Sequence, residues 1–385
     1  MKKTKMLYIL NFAHRLNQFS YSSILAAQNL GLEYHIACNW DYPSIKDKQA
    51  DEKKYGVRIH QVDFMRNPLH PGNIKAYRQI CRLIRDEKYQ VVHCNTPIGG
   101  ALGRIAAKRF GIKTVIYQAH GFHFYQGAPF SSWLLYYPIE KLLARFTDSL
   151  ITINREDYAL AREKMRLRKR GKVAYIPGIG IDTGVFAAIT TDRQKKREEL
   201  GIPPDATLLL SVGELNGNKN HAIIIRAVAE IPKLHYAIAG TGDLREHLHA
   251  LSVQLGISDR VHLLGYREDV RQIYKAADIF CLPSFREGLS ASVMEAMAAG
   301  LPVICSDIRG NRDLVKPRSG GFLVGVQDTR GYIAALRELA DDPVKREAMA
   351  GFNIDRIKRF GLDRVTAMLQ AEYLQALYPH KGEGR

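Results

Sequence analysis

Two glutamates eight positions apart, Glu287 and Glu295, bracket Gly288-Leu-Ser-Ala-Ser and a run of small residues, and the apolar stretch Leu301-Pro-Val-Ile-Cys follows them. Residues 279–282 read as a buried strand, 283–288 as the turn after it, and 290–299 as a helix closed by Gly300 and Pro302. A strand, a glycine turn and a helix in that order aim backbone N–H groups and the positive helix end at one point, which suits a phosphate. A plainer reading gives Glu287 to the helix dipole, leaves Glu295 in solvent and puts Met294, Met297 and Ala298 in a core. That reading accounts for either glutamate alone, but not for the whole arrangement. In the first half of the chain, His120 follows the apolar residues 114–116 and precedes Gly121, at a strand's carboxyl end. A histidine there can face a cleft, although a lone one is more often structural.

The elements that must position these residues follow a regular alternation. Short apolar or β-branched runs at 6–10, 33–37, 57–62, 91–93, 113–118, 149–154 and 173–176 are separated by longer helical patterns. A second series runs through 208–212, 235–239, 261–263, 279–282, 303–305 and 321–323. Such alternation predicts crossover connections, parallel sheets and helices on both faces. Between the series lie Pro177-Gly-Ile-Gly-Ile-Asp, a charged stretch at 191–200 and Gly201-Ile-Pro-Pro, read as a linker and a fresh start. The expected organisation is two doubly wound α/β domains facing a cleft, at 1–176 and 201–362, joined by a linker at 177–200. A helix at 363–385 follows and can pack back on the first domain. Ligands of such sheets sit beyond the carboxyl ends of the strands.

Composition narrows the classes. With 385 residues, 46% of them hydrophobic, the chain can bury a large core, and 56 basic against 39 acidic residues leave +17, enough to attract polyanions. Five scattered cysteines with no C-x-x-C pair suggest neither a disulfide frame nor a zinc site, which fits a reducing cytoplasm. The opening MKKTKMLYIL reads as a first strand rather than a signal peptide, since its apolar run ends at Asn11. No uninterrupted apolar run approaches the roughly 20 residues of a membrane-spanning helix.

The E-x(7)-E spacing within strand, turn and helix, followed by Ala299-Gly-Leu-Pro-Val, resembles the retaining glycosyltransferases of glycosyltransferase family 4. The resemblance runs from end to end. It includes Ser211-Val-Gly-Glu-Leu with Lys219-Asn-His, Ile238-Ala-Gly-Thr-Gly, Val261-His-Leu-Leu-Gly and Ala277-Asp-Ile-Phe. In the first half, His93-Cys-Asn-Thr-Pro, Gln118-Ala-His-Gly-Phe-His-Phe-Tyr and Ile151-Thr-Ile-Asn-Arg-Glu-Asp look like a subgroup that extends lipid-linked saccharides for capsule, exopolysaccharide or glycoprotein assembly.

The resemblance implies a GT-B fold of two Rossmann-like domains. It also implies transfer of a sugar, with retained anomeric configuration, from a nucleotide donor to a saccharide on a polyprenyl diphosphate. The donor expected is a UDP-sugar, a hexose or N-acetylhexosamine, with no metal and no other cofactor. Glycosyl transfer passes through an oxocarbenium-like state while negative charge builds on the departing diphosphate. Lys219 and the amides at Gly288, Leu289 and Ser290 are the groups to meet that charge. Glu295 is expected on the ribose hydroxyls and Glu287 on those of the donor sugar. The family's motif puts His120 near the donor sugar and the reacting oxygen. Gly213, Asn220 and Gly240 are assigned to the nucleotide-sugar loops, Tyr266 and Arg267 to the base. His14, Thr96 and His123 are expected on the acceptor side. One departure stands out: relatives commonly carry Gly-Arg where this chain has Gly213-Glu214. A glutamate cannot donate to phosphate, so either Arg286 substitutes or Lys219 works largely alone; Arg286 reads equally well as an exposed turn residue.

The positive charge clusters at residues 78–85, 104–113 and 162–172, mostly in the first half, beside the apolar and aromatic stretch at 130–143. Basic residues beside Phe130, Trp133 or Tyr136 suit a peripheral protein on the anionic inner face of a cell membrane, although any one of those aromatics reads more simply as core. Two other classes stay open. A nucleic-acid-binding protein would explain +17, but no zinc-finger, RRM or helix-turn-helix signature is present, so no specific nucleic acid is expected. A sugar-nucleotide epimerase shares the two-domain architecture and would need no acceptor.

Overall fold

The computed structural model describes residues 3–13, 16, 18–40 and 45–378. The chain divides into two compact units, one made of residues up to 180 together with those from 362, the other of residues 181–361.

In the first unit strand and helix alternate: β1 (Lys5–Ala13), α1 (Gln18–Asn29), β2 (Glu33–Trp40), α2 (Ile45–Tyr55), β3 (Arg58–Gln61), α3 (Gly72–Glu87) and β4 (Val91–Asn95). There follow α4 (Pro97–Arg109), β5 (Thr114–Ala119), α5 (Phe130–Ala144), β6 (Ser149–Thr152), α6 (Arg155–Lys164) and β7 (Lys172–Tyr175). Seven parallel strands lie in the order β3-β2-β1-β4-β5-β6-β7. Every residue of β4, β5 and β6 is buried, the polar His93, Asn95, Thr114, Gln118, Ser149 and Thr152 among them, as expected of central parallel strands covered on both faces.

The second unit opens on two short helices, α7 (Thr183–Ala188) and α8 (Arg193–Glu199), capped by the side chains of Asp182 and Asp192. It continues through β8 (Thr207–Val212), α9 (His221–Ala229), β9 (Leu234–Ala239), α10 (Arg245–Gln254), β10 (Val261–Gly265) and α11 (Val270–Ala276). Then come β11 (Ile279–Leu282), α12 (Ala291–Ala298), β12 (Val303–Ser306), α13 (Arg309–Leu314), β13 (Gly321–Val324), α14 (Thr329–Asp341) and α15 (Pro343–Ile357). Its six parallel strands run β10-β9-β8-β11-β12-β13.

The stretch expected as a linker is therefore largely structured, because residues from 181 onward fold with the second unit. Arg197 explains why: in a charged run it is only 7% exposed, and its guanidinium donates to the carbonyls of Ala206 and Ala276, both at 3.0 Å, and pairs with Asp278. The last helix, α16 (Leu362–Leu377), returns to the first unit. Val365, Leu369 and Tyr373 bury among Tyr8, Tyr34 and Ile36, the Tyr373 hydroxyl lies 2.8 Å from His93 Nδ1, and Ser149 donates to Glu372 at 2.6 Å.

In both sheets the order reverses beside the first strand, between β1 and β4 and between β8 and β11. Loops leaving the carboxyl ends of those strands part in opposite directions there and leave room for a ligand.

Candidate active site

In the second unit the loops after β8 and β11 meet. Gly213 follows β8, donates to Ala239 O at 3.0 Å, and presents its carbonyl to Gly240, where an added Cβ would lie 1.9 Å from that oxygen. Only glycine permits this approach. Asn216 then caps a single 3-10 turn, accepting from Lys219 N at 3.2 Å, which fixes the base of the lysine side chain. Lys219 Nζ reaches Glu287 Oε1 at 2.7 Å.

The Glu287 loop is held from two sides. Phe285 N donates to Asn218 O at 2.8 Å and Asn218 Nδ2 to Arg286 O at 3.0 Å, while Arg309 Nε donates to Glu287 O at 3.2 Å. Beneath the loop, a Cβ on Gly310 would fall 2.2 Å from Gly288 O. Ser290 closes the loop as N-cap of α12, accepting from Val293 N. Gly288, Leu289 and Ser290 thus stand at a helix N-terminus whose approach is anchored by buried groups.

Glu295 projects from the second turn of α12, and Tyr274 Oη donates to its Oε2 at 3.0 Å. Burial pushes the Tyr274 hydroxyl well above its usual range, which keeps it a donor. Asn220 sits at φ 52°, in the left-handed region that Asn tolerates, and its side chain donates to Val326 O at 3.0 Å, so it shapes the start of α9. His221 is core: its Nδ1 lies 2.9 Å from Tyr236 Oη, and burial pushes its pKa down to about 4.

Tyr266 and Arg267 follow β10, at the position where main-chain groups are expected beside the base. Tyr266 is 78% exposed, and the Arg267 guanidinium is already engaged, by Asp269 at 2.6 and 2.7 Å and by Glu199 at 2.6 Å. Those bonds hold the Asp269 carboxyl well below its usual range. Arg286 and Glu214 are both exposed, and Glu214 accepts from Asn216 Nδ2 at 2.8 Å. The cation that sequence reasoning passed over is Arg309, 6% exposed under the Glu287 carbonyl. Its signal was weak: an arginine and a glycine following the apolar run at 303–305.

In the first unit, Asn95 is the last residue of β4, Thr96 follows it, and His120 follows β5. His120 Nε2 lies 3.0 Å from Asn95 Oδ1, while its buried Nδ1 has no partner among the described residues. Burial lowers its pKa to about 4, so the ring is neutral at pH 7. With Asn95 Oδ1 accepting, the proton is on Nε2 and Nδ1 carries a lone pair. Thr96 adopts φ 62° and ψ 158°, a region that costs a β-branched residue on the order of 1–3 kcal/mol. Asn11 offsets this, since its Oδ1 accepts from Thr96 Oγ1 at 2.8 Å and from Gly99 N at 2.6 Å.

The loop after His120 is fastened by the Asn154-Arg-Glu-Asp segment. Phe122 N donates to Asp157 Oδ2 at 3.1 Å and Gln126 N to Glu156 Oε1 at 3.1 Å. His123 packs on Tyr136 with ring centroids 4.5 Å apart. His14 lies outside the described residues. His93 is core, with its pKa lowered to about 3 by burial and by the neighbouring His120. The structure thus gathers Gly213, Lys219, Gly240, Arg286, Glu287, Gly288 and Ser290 about the loops after β8, β9 and β11, and His120 with Asn95 and Thr96 at the end of the other sheet. Among the described residues no group of three His, Cys, Asp or Glu side chains could hold a metal ion, and no helix is long and apolar enough to cross a membrane.

Known proteins share the sequence pattern and the fold of this chain. Residues 192–354 match the family described as "Glycosyl transferases group 1", and residues 18–178 match the "Glycosyl transferase 4-like domain". A Bacillus subtilis (strain 168) protein with the name "Putative glycosyltransferase EpsD" is 37% identical over 347 residues, covering 88% of each chain. The UDP-Gal:alpha-D-GlcNAc-diphosphoundecaprenol alpha-1,3-galactosyltransferase of Escherichia coli is 32% identical over 312 residues, covering 76% of this chain and 80% of that one. In fold the chain is similar to Anabaena Alr3699/HepE, solved in complex with UDP and glucose, with a TM-score of 0.79 over 97% of this chain and 100% of that one at 18% identity.

Proposed function

This chain belongs to the group 1 glycosyltransferases and has the GT-B fold, and from that premise we propose that it moves a hexose or N-acetylhexosamine from a UDP-sugar to a saccharide carried on a polyprenyl diphosphate, with retention at the anomeric carbon. The observation that carries this reading is the contact of Lys219 with Glu287 at 2.7 Å, on a loop that ends at the N-terminus of α12. An ammonium group has three donors, so Lys219 can hold Glu287 and still turn a proton toward a diphosphate. The amides of Gly288, Leu289 and Ser290 add the positive end of a helix beside the same charge. As the bond to the leaving oxygen stretches, these groups meet negative charge that the ground state lacks, and so favour the transition state.

Glu287 then holds the hydroxyls of the donor sugar, and Glu295, steadied by Tyr274, accepts from the ribose diol. The site needs no metal ion in this scheme, because the lysine and the helix end supply the positive charge. Neutral His120, with Nδ1 as acceptor, takes a hydrogen bond from a sugar hydroxyl. Thr96 and His123 line the acceptor side. The lipid-linked acceptor is supported by the activity in the name of the Escherichia coli relative and by the basic first half of the chain. Such an acceptor places the protein at the inner face of the cell membrane as a peripheral enzyme in surface-polysaccharide or glycan assembly. The test is a panel of UDP-, GDP- and ADP-sugars incubated with a lipid-linked saccharide extract, reading the nucleotide released. UDP release that depends on the extract is expected. Release indifferent to the extract, or of GDP or ADP instead, overturns the reading.

A further inference from the structure

The outward face of α5 is apolar. Phe130 is 80% exposed, Leu134 67%, Leu135 51%, Ile139 46% and Leu142 54%, and Pro138 is exposed among them. At about 100° per residue these six positions fall within one half of the helix, where a helix on the surface of a soluble domain carries its polar side chains. One or two exposed leucines need no explanation, but a continuous row along the helix does.

The opposite face is firmly seated. Trp133 Nε1 donates to Tyr125 O at 3.2 Å, and the Trp133 and Tyr137 rings lie 5.5 and 5.4 Å from Phe124. The aromatics that sequence reasoning offered to a membrane, Trp133 and Tyr136, therefore pack against the core, and of the three residues singled out Phe130 alone points outward. Glu140, the one acid of α5, is turned inward too. It accepts from Arg104 at 2.8 Å and from Tyr117 at 3.0 Å, and Arg104 itself is 1% exposed. The charges left on the outward side are Lys141 and Arg145, both exposed, with Lys108 close by over the Phe146 ring at 4.0 Å.

We propose that this face of α5 docks the chain on an anionic lipid bilayer, lying in the plane of the interface with its apolar row among the upper acyl chains and its cations at headgroup level; the proposal rests on the reading of the acceptor as lipid-linked. The charge decides the occupant. An apolar row with Lys141 and Arg145 exposed at its carboxyl end, and the helix's single acid turned inward to Arg104, matches a negatively charged surface with a greasy interior. The geometry sets the depth. Fifteen residues span about 22 Å, short of the roughly 30 Å of hydrocarbon, and Pro138 leaves the Leu134 carbonyl without its helical donor, which headgroups and water can satisfy but acyl chains cannot.

The test uses the full chain and vesicles of phosphatidylcholine with or without phosphatidylglycerol. Wild type sediments with the acidic vesicles and little with the neutral ones. Leu134→Ser with Leu142→Ser, both at exposed positions, lowers that partition about a hundredfold, the low end of what burying two such side chains contributes, while the cations are common to both proteins. An unchanged UDP-induced thermal shift shows that the variant is folded, and sugar transfer to a short, water-soluble acceptor analogue is unaffected. Wild type that ignores acidic vesicles, or a variant that binds them equally well, overturns the docking face. So does a wild-type dimer in sedimentation that the variant abolishes, which assigns the face to a second copy. Loss of transfer to both acceptors in wild type would instead sink the transferase reading, whatever the vesicles show.

Discussion

The ion pair between Lys219 and Glu287 lends itself to a double-mutant cycle in which stability and activity respond in opposite ways. The two side chains are 18% and 15% exposed and 2.7 Å apart, so each is largely cut off from water. Replacing Lys219 with Met strands a carboxylate in that setting. Breaking a buried pair in this way costs about 3–5 kcal/mol, and the remaining exposure brings the figure here to about 2 kcal/mol. For a unit of this size that lowers the melting temperature by roughly 4–8 °C. Adding Glu287→Leu removes the stranded charge, and apolar pairs of similar volume are often no less stable than the ions they replace. The double variant should therefore recover to within about 1 kcal/mol of wild type. Activity should not recover. Without Lys219 one charge-assisted hydrogen bond to the diphosphate is gone, about 1.5–3 kcal/mol, so the Kd for UDP rises about ten- to a hundredfold in both the lysine variant and the double variant. Calorimetric unfolding and UDP titration on the three variants measure all of this. A double variant that binds UDP like wild type would refute the assignment of Lys219, and a double variant no more stable than Lys219→Met would refute the account of the pair.

Three further outcomes follow from the same geometry. Glu295→Gln should weaken UDP binding, because an amide accepts less strongly from a ribose diol, whereas Glu287→Gln should mainly lower kcat; equal effects on UDP affinity would undo the division of roles. UDP should raise the melting temperature equally with and without EDTA, and loss of the shift in EDTA would show that a metal ion takes part. On the acid side, His120, His221, His60 and His262 each have pKa values lowered to about 4 and His93 to about 3. The unfolded chain, with histidines near 6.5, then binds more protons than the folded one, so stability is lost as pH falls from about 6.5 towards 4, by up to about 1.4 kcal/mol per pH unit for each such histidine. Denaturant unfolding at pH 7, 5.5 and 4.5 checks this, and a flat profile would mean that these rings are not held neutral.

The strands were legible because parallel strands buried on both faces must be apolar over four to six residues: β9 and β11, for example, are buried throughout and read as strands from residue types alone. The loop of Glu287 was legible because its chemistry is local, with strand, glycine turn, N-cap and helix consecutive in the chain. What escaped was set by partners far away in sequence. The residues at 191–200 look like a solvated linker until Asp278 is placed beside Arg197, and Asn95 gains its meaning only when β4 and β5 pair and bring it to His120. Arg267 is a further case: its place after a strand says nothing of the Asp269 and Glu199 carboxylates that hold its guanidinium. The outward row on α5 was written in the periodicity, but which side was outward depended on Phe124 and Arg104, which lie on other elements.

The glutamate at position 214 raises the question of which cation accompanies Lys219, and the structure narrows the choice. Arg309 is close to the site, but its Nε is committed to the Glu287 carbonyl, and its burial makes it a brace for the loop rather than a group that can follow a moving diphosphate. Arg286 is exposed, on the same loop as Glu287, and its backbone is pinned by Asn218 while the side chain extends into solvent. A guanidinium in that position costs little to reorient, and it can close on a phosphate once one is bound. Glu214, also exposed and turned to Asn216, does not neutralise Lys219, which pairs with Glu287 across the two loops. On the proposed reading a division of labour is expected, with Lys219 in place before the donor arrives and Arg286 recruited by the donor's own charge, so Arg286→Gln should weaken UDP binding less than Lys219→Met does, and an equal or larger loss would refute it.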